Sequence, residues 1–125
     1  MAKILLIEDS KSLGGALKGA LEIKGHEIIW VNDGRAALPA VKKNKPEVIL
    51  LDLMLPHISG FEICKAIKTD NALWRTPVVI MSTLTSAEQQ QRAMEVGADH
   101  FIGKPYDLQT TLAEIARYIP KPKGA

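Results

Sequence analysis

The amino-acid sequence predicts an α/β fold: a doubly wound, five-stranded parallel sheet with helices on both faces. Short apolar runs alternate along the chain with segments of helix length, an order typical of strand–helix–strand units. The central run Val48–Leu51 is apolar at every position and is followed by turn residues, which indicates a strand buried on both faces of a parallel sheet. In such a sheet the first and third strands are neighbours, and ligands bind beyond their carboxyl ends.

The strands are predicted from the apolar runs, of which the last has the weakest pattern. They cover Ile4–Ile7, Glu27–Val31, Val48–Leu51, Val78–Met81 and His100–Gly103. Because parallel strands run in one direction, all their carboxyl ends are expected at the same edge of the sheet.

The first helix is predicted over residues 12–24, and Gly25 is a typical residue just beyond a helix end. Its predicted inner face consists of Leu13, Ala16, Leu17, Ala20 and Leu21. Gly14 and Gly15 weaken this helix, because an interior glycine costs about 1 kcal/mol relative to alanine. Either tertiary packing compensates for them, or another group approaches this backbone closely.

Four further helices are predicted over residues 35–43, 61–68, 85–96 and 108–119. Pro39 removes a backbone donor from the second, so we expect that helix to begin late or to bend. Thr85 and Glu88 have the spacing of a capping box at the start of the fourth, and Gly97 is its stop signal.

Asp107 is placed to cap the last helix. The predicted inner face of that helix consists of Leu108, Leu112, Ile115 and Ala116. The sequence Pro-Lys-Pro-Lys-Gly-Ala that follows is polar and extended. We therefore expect one domain over residues 1–119, with residues 120–125 as a polar tail or a truncated linker.

Composition excludes several classes of function. The 125 residues suffice for one core, and 16 Lys and Arg against 14 Asp and Glu give a net charge of +2, which does not argue for direct binding of nucleic acid. The lone Cys64 cannot form an internal disulfide. The sequence has neither the apolar region of a signal peptide nor the roughly 20 apolar residues of a membrane helix. We expect a soluble, cytoplasmic protein without a membrane partner.

Three carboxylates follow the first and third strands. Glu8 and Asp9 come directly after the first, and Asp52 ends the third. Such acids repel one another unless a hard divalent cation lies between them, and Mg²⁺ prefers oxygen ligands. The sequence therefore predicts a magnesium site at this edge, although Glu8 alone could also be a solvated carboxylate.

The fourth and fifth strands add a hydroxyl and an ammonium to the same edge. Ser82 ends the fourth strand, with Thr83 as the alternative hydroxyl, and Lys104 follows the fifth. Metal and lysine would neutralise phosphoryl oxygens, the hydroxyl would orient them, and Asp52 would attack as nucleophile. The alternative to a phosphoryl site is an acid–lysine network with a purely structural role.

The chain resembles the receiver domain of two-component response regulators over almost its whole length. The matching motifs are Ile7–Asp9, Leu51–Pro56 with Gly60, Pro77–Ser82 and Gly97–Pro105. Ser82 lies 30 positions after Asp52 and Lys104 lies 52 positions after it, as the family spacing requires. The resemblance implies the strand order 2-1-3-4-5 and a CheY-like, phosphorylation-activated module.

The resemblance also implies a role for each matching residue. Asp52 would accept a phosphoryl group from a histidine kinase or a histidine phosphotransfer protein. Glu8 and Asp9 would position Mg²⁺, and Met54 would contribute its backbone carbonyl. The chain would thus catalyse its own phosphorylation and dephosphorylation while acting mainly as a signalling switch.

Further implied roles concern the switch and the output. Ser82 and Lys104 would hold the phosphoryl oxygens, and Ser82 would move toward the phosphoryl group as Phe101 rotates inward. Phe101 stands where tyrosine is common, so it lacks any hydrogen bond made by a tyrosine hydroxyl. The apolar side chains of Met54 and Leu84 predict slow self-dephosphorylation.

Asp99 and Arg117 lie where many receiver dimers exchange salt bridges, so the resemblance implies a phosphorylation-enhanced homodimer. The output would otherwise act through a downstream effector protein or an effector domain missing from this chain. In the family the first helix commonly docks the kinase, so the resemblance offers this role for the helix that carries Gly14 and Gly15, although a tight helix–sheet contact explains the two glycines as well.

Two other classes compete with this prediction. A docking module that works without phosphorylation would have lost an acid, the hydroxyl or the lysine, and the chain retains all of them. A flavin protein needs a phosphate-cradling loop where Glu8 and Asp9 lie, and an aspartyl-phosphate phosphatase needs a second acid where Met54 lies.

Overall fold

Five strands and five helices alternate in the computed structural model, which describes residues 2–104 and 107–120. The strands are β1 (Lys3–Ile7), β2 (Glu27–Val31), β3 (Val48–Asp52), β4 (Val78–Ser82) and β5 (His100–Gly103). The helices are α1 (Lys11–Ile23), α2 (Gly34–Asn44), α3 (Gly60–Lys68), α4 (Ala87–Glu95) and α5 (Leu108–Ala116). All strands pair in parallel in the order β2-β1-β3-β4-β5, which confirms the predicted fold.

Two hydrophobic layers cover the sheet, because successive side chains of a strand point to opposite faces. Ile4 and Leu6 of β1 belong to the layer under α1 and α5, whereas Leu5 and Ile7 belong to the layer under α2, α3 and α4. Every residue of β3 is buried, as predicted for a central strand. The acidic end of β3 therefore lies against a tightly packed core.

The inner face of α1 differs from the prediction in its first turns. Leu17 and Leu21 are buried as predicted, but Leu13 is 37% exposed and Gly14 faces the sheet in its place. A Cβ at Gly14 would lie 2.2 Å from the indole ring of Trp30. The close approach expected at the glycine pair therefore occurs at Gly14, and the large ring excludes any side chain there.

The prediction that α2 begins late is wrong. Asp33 caps α2 by accepting a hydrogen bond from the Arg35 amide at 2.8 Å, and the helix runs through Pro39. Proline removes only the bond to the carbonyl one turn earlier, which belongs to Arg35. Both residues are exposed, so water can satisfy that carbonyl.

The cap of α4 lies one residue after the predicted one. The Ser86 hydroxyl accepts from the Gln89 amide at 3.2 Å, so the cap is Ser86 and not Thr85. Gly97, with φ +98°, follows the last turn and confirms the predicted stop signal. Gly25, with φ +94°, does the same for α1.

Asp107 caps α5 as predicted, because its carboxylate accepts from the Thr110 amide at 3.0 Å. The inner face is only partly as predicted: Ile115 is buried, but Leu108 and Ala116 are exposed. Thr111 and Ile115, one turn apart, form the row that faces the sheet, which turns Ala116 toward solvent. The helix also ends at Ala116, before the predicted end at residue 119.

Pro105, predicted as part of the Lys-Pro motif, and residues 121–125 of the predicted tail lie outside the described residues. Within the described ranges, none of the helices has the length and apolar character needed to cross a membrane.

Candidate functional site

The candidate site lies at the carboxyl edge of the sheet, where four strands end side by side. Glu8 follows β1, Asp52 ends β3, Ser82 ends β4 and Lys104 follows β5. Strand pairing brings these ends together, since Asp52 is opposite Met81 and the residue after Met81 is Ser82. The predicted convergence of acids, hydroxyl and lysine at one edge is present in the structure.

The three predicted acids form one cluster. Glu8, Asp9 and Asp52 each offer a carboxylate oxygen, and these oxygens lie within 4.8 Å of one another. Glu8 is 1% exposed and Asp52 is 4% exposed, whereas Asp9 is exposed. The burial of Glu8 excludes the alternative of a solvated carboxylate. Two buried acids and one exposed acid could hold a hard cation with open positions toward solvent.

Lys104 is the positive charge of the pocket. Its ammonium donates to Glu8 Oε1 and lies 3.3 Å from Asp52 Oδ2, and its side chain is only 6% exposed. Three acids and one lysine leave the cluster with an excess of negative charge. A divalent cation would offset this excess, and so fits the donors present.

The pKa values in the pocket diverge. Burial, followed by the hydrogen bond with Glu8, raises the pKa of Asp52 to about 7. Burial alone would raise the pKa of Glu8 as well, but hydrogen bonds with Asp52 and Lys104 lower it. Burial opposes the charge of Lys104, yet its hydrogen bond to Glu8 and the charge of Asp52 raise its pKa. Of these three groups, Asp52 is therefore the one whose charged form the pocket disfavours.

Ser82, and not Thr83, has its hydroxyl at the inner edge of the pocket. Ser82 is fully buried, whereas Thr83 is exposed. The Ser82 hydroxyl accepts a hydrogen bond from the Leu84 amide at 2.9 Å, and the Lys104 amide donates to the Ser82 carbonyl at 2.7 Å. The first bond is local to the turn after β4, and the second ties the ends of β4 and β5 together.

The loop between β3 and α3 closes over Asp52. The Met54 amide donates to Asp52 Oδ1 at 3.1 Å, and the Met54 side chain is 56% exposed. A Cβ at Gly60 would lie 2.5 Å from the Asp52 carbonyl oxygen, so only glycine fits where α3 begins. The start of α3 thus packs directly on the main chain of Asp52 and Leu53.

Residues predicted for the switch and the output lie farther from the acids. Phe101 is partly buried and packs against the layer under α4. Asp99 is already occupied within the chain, since its Oδ2 lies 2.6 Å from Lys68 Nζ and accepts from the Val78 amide at 2.8 Å. Arg117 is exposed at the end of α5.

Trp30 lies beside the site but was not among the residues predicted for it from the sequence. The indole N–H of Trp30, in β2, donates to the Glu8 carbonyl at 2.8 Å. A cavity of about 410 Å³, lined by Lys11, Trp30 and Asn32, lies beside this contact. The available signal was a bulky aromatic residue in a short strand together with Gly14 in the neighbouring helix.

Fold and pocket together define an α/β protein of the receiver class, with a buried carboxylate, two further acids and a lysine at the carboxyl edge of a doubly wound sheet. The model of the response regulator receiver domain family matches residues 4–116. The chain belongs to this family and is a receiver domain of the response regulators of two-component signalling.

Related proteins agree with this assignment. The chain is 35% identical to the response regulator ArlR of Staphylococcus saprophyticus over 115 residues, which cover 92% of the chain and 51% of ArlR. It is 29% identical to protein PilG of Pseudomonas aeruginosa over 94% of the chain and 87% of PilG. The chain thus spans about half the length of several curated relatives that it matches.

Solved structures show the same fold. The chemotaxis response regulator CheY4 of Vibrio cholerae is 34% identical with a TM-score of 0.89, covering 95% of this chain and 99% of that one. The non-phosphorylated HemR receiver domain of Leptospira biflexa is 29% identical with a TM-score of 0.88, covering 100% and 99%.

Proposed function

We propose that this chain is a phosphorylation-activated switch that accepts a phosphoryl group on Asp52 from a histidine kinase or a histidine phosphotransfer protein. An oxygen of the Asp52 carboxylate attacks phosphorus, and the bond from phosphorus to the donor nitrogen breaks as the acyl phosphate forms. The observation that carries the proposal is the buried Asp52 carboxylate, which lies 3.3 Å from Lys104 and beside two further acids.

The residues of the pocket divide the work of this transfer. Glu8, Asp9, Asp52 and the Met54 carbonyl would hold Mg²⁺, which supplies positive charge against the phosphoryl oxygens. Lys104 neutralises a further oxygen from the β5 side. Without these cations, an anionic donor would meet an acidic pocket and transfer would be slow.

Ser82 and Phe101 would report the phosphoryl group to the surface. The Ser82 hydroxyl exchanges its bond with the Leu84 amide for a bond to a phosphoryl oxygen, and Phe101 moves into the space behind it. The proposed output is a changed surface for a downstream effector protein, an effector domain in a longer parent chain, or a phosphorylation-enhanced homodimer. Neither nucleic acid nor a membrane is a direct partner in this proposal, which places the switch in the cytoplasm.

The proposed homodimer would need rearrangement at Asp99. This carboxylate already binds Lys68 and the Val78 amide, whereas Arg117 is exposed at the end of α5. Self-dephosphorylation is proposed to be slow: Met54 and Leu84 each lie two positions after a pocket residue, Asp52 and Ser82, and their exposed apolar side chains would shield an acyl phosphate from water. A phosphoryl half-life of only seconds would contradict this part of the proposal.

Intact mass after incubation with acetyl phosphate and Mg²⁺ tests the proposed function. We expect one phosphoryl adduct on the wild type, and none on Asp52→Asn or in the presence of a chelator. Asp33→Asn is the matched control, since asparagine retains the helix cap and Asp33 lies outside the pocket. A folded wild type without an adduct, also with a histidine kinase as donor, would favour a docking module that works without phosphorylation.

A further inference from the structure

The indole of Trp30 is hydrogen-bonded to the main chain of the acidic pocket. Its Nε1–H donates to the Glu8 carbonyl oxygen at 2.8 Å, in a partly buried position. The Glu8 amide donates to the Val31 carbonyl at 3.1 Å, continuing the pairing of β1 with β2 by one residue. After Val31 the chain leaves the sheet, and Asp33 caps α2. The indole N–H therefore donates to the Glu8 carbonyl at the point where the hydrogen bonds between β1 and β2 end.

The ring is held in place from the opposite side by α1. A Cβ at Gly14 would lie 2.2 Å from Cζ2 and 2.6 Å from Cε2 of Trp30, so the ring lies directly on the helix backbone. Gly15 carries no such contact within 4 Å, which singles out Gly14. Trp30 therefore has little freedom to move, and its N–H is a fixed donor.

This donor acts on the peptide group that joins the two acids after β1. The Glu8 carbonyl belongs to the peptide group that joins Glu8 to Asp9, and a peptide group is planar. Fixing its oxygen fixes the direction in which the chain leaves toward Asp9. The Glu8 carboxylate is held separately, by Lys104 and by the Ser10 amide at 3.2 Å, whereas Asp9 is exposed.

We propose that Trp30 is a positioning residue for the cation site: its indole N–H fixes the Glu8–Asp9 peptide so that the Asp9 carboxylate faces a bound Mg²⁺ beside the Glu8 carboxylate. This inference rests on the proposed function, because it assigns Trp30 to the same Mg²⁺ site. Trp30 touches neither the metal nor the phosphoryl group and acts only through the peptide it holds. Groups that orient metal ligands in this way affect metal affinity strongly.

The competing explanation is that Trp30 merely fills space between β2 and α1. Removing the N–H while keeping the ring separates the two explanations. Trp74 is the only other tryptophan and is 49% exposed outside the pocket, so Trp74→Phe leaves residue 30 as the sole tryptophan. In that background, biosynthetic replacement of tryptophan by β-(3-benzothienyl)alanine keeps a bicyclic aromatic ring of nearly the same shape at position 30 and replaces the N–H with sulfur, which cannot donate.

The experiment measures the Mg²⁺ dissociation constant by calorimetry, together with the urea unfolding midpoint. Trp74→Phe is expected to bind Mg²⁺ like the wild type, and its remaining tryptophan emission is expected to change on binding. The benzothienyl protein and Trp30→Phe are expected to bind Mg²⁺ about three- to tenfold more weakly, the loss expected for one hydrogen bond.

The outcomes separate this inference from the proposed function. An Mg²⁺ dissociation constant within twofold of wild type in the benzothienyl protein, with or without a change in its unfolding midpoint, would overturn the positioning role alone. A wild type that binds no Mg²⁺ would overturn both the proposed function and this inference. Weaker Mg²⁺ binding at an unchanged unfolding midpoint would support the positioning role.

Discussion

Replacing Asp52 with asparagine is expected to stabilise the metal-free protein. Asp52 is 4% exposed, and burial together with the hydrogen bond to Glu8 raises its pKa from 3.8 to about 7. One pKa unit corresponds to about 1.4 kcal/mol, so ionising Asp52 costs the folded protein about 4 kcal/mol. The asparagine amide must still be accommodated in the pocket, and we expect a net gain of about 2 to 4 kcal/mol at pH 8.

The pH dependence of this gain follows from proton binding. In the unfolded chain Asp52 loses its proton near its ordinary pKa of 3.8, but in the folded protein it keeps the proton until about pH 7. Between these values the folded state holds the extra proton, so its stability falls by about 1.4 kcal/mol per pH unit as the pH rises. The asparagine variant lacks this loss. The gap between the two proteins should therefore widen from about pH 4 to pH 7 and then level off.

Urea unfolding in the presence of a chelator measures the difference in the free energy of unfolding between the variant and the wild type. Adding Mg²⁺ should reduce this difference. Mg²⁺ at 100 times its dissociation constant stabilises the wild type by about 2.7 kcal/mol, and the variant by less. Asp9→Asn is the control, since the exposed Asp9 carboxylate keeps its hydration and its loss should change stability little. A metal-free Asp52→Asn protein that is no more stable than the wild type at pH 8, or a stability difference independent of pH, would show that ionising the buried Asp52 carries no such cost.

Three further predictions concern the backbone and the thiol. His57 is exposed and has φ +72°, a strained backbone conformation for a residue other than glycine. His57→Gly should therefore raise the free energy of unfolding by about 1 kcal/mol in urea titrations, and a lower free energy of unfolding would contradict this strain. Gly60→Ala should lower the free energy of unfolding by about 1 to 3 kcal/mol and slow labelling by acetyl phosphate, because the new Cβ would lie 2.5 Å from the Asp52 carbonyl oxygen. Wild-type stability and a wild-type labelling rate would show that the loop shifts to accommodate the Cβ. Burial raises the pKa of the Cys64 thiol to about 11, so folded protein at pH 8 should react with a thiol reagent far more slowly than urea-unfolded protein, and equal rates would exclude this burial. The contribution of this thiol to stability should be complete below pH 9 and disappear as the pH rises toward 11.

The sheet and the location of the site were predictable because both depend on one-dimensional patterns. Uninterrupted apolar runs mark buried parallel strands, and a charge at the end of such a run, as at Asp52, has few explanations other than a site. The carboxyl ends of parallel strands meet at one edge, so Glu8 and Lys104 could be placed together although they are 96 positions apart.

The missed features depend on three-dimensional packing. Helical spacing predicted Leu13 on the inner face of α1, but the Trp30 ring occupies that space and Gly14 faces the sheet. Pro39 lies in an exposed helix turn, where water can replace the missing hydrogen bond, and no sequence pattern reports that exposure. The intramolecular partner of Asp99, which lies just before β5, is Lys68 in α3, 31 positions away, and a family resemblance does not predict such a pair.

Borohydride trapping is the direct test of Asp52 as the phosphoacceptor, because it identifies the phosphorylated residue without a substitution. The wild type is treated with acetyl phosphate and Mg²⁺, reduced with borohydride, digested and sequenced by mass spectrometry. Reduction of an aspartyl phosphate yields homoserine. We expect homoserine at position 52 and at no other aspartate, and no homoserine when a chelator is present during labelling. Homoserine at Asp9 or another position, or a stable phosphoryl group on a histidine, would contradict the assignment of Asp52 as the phosphoacceptor.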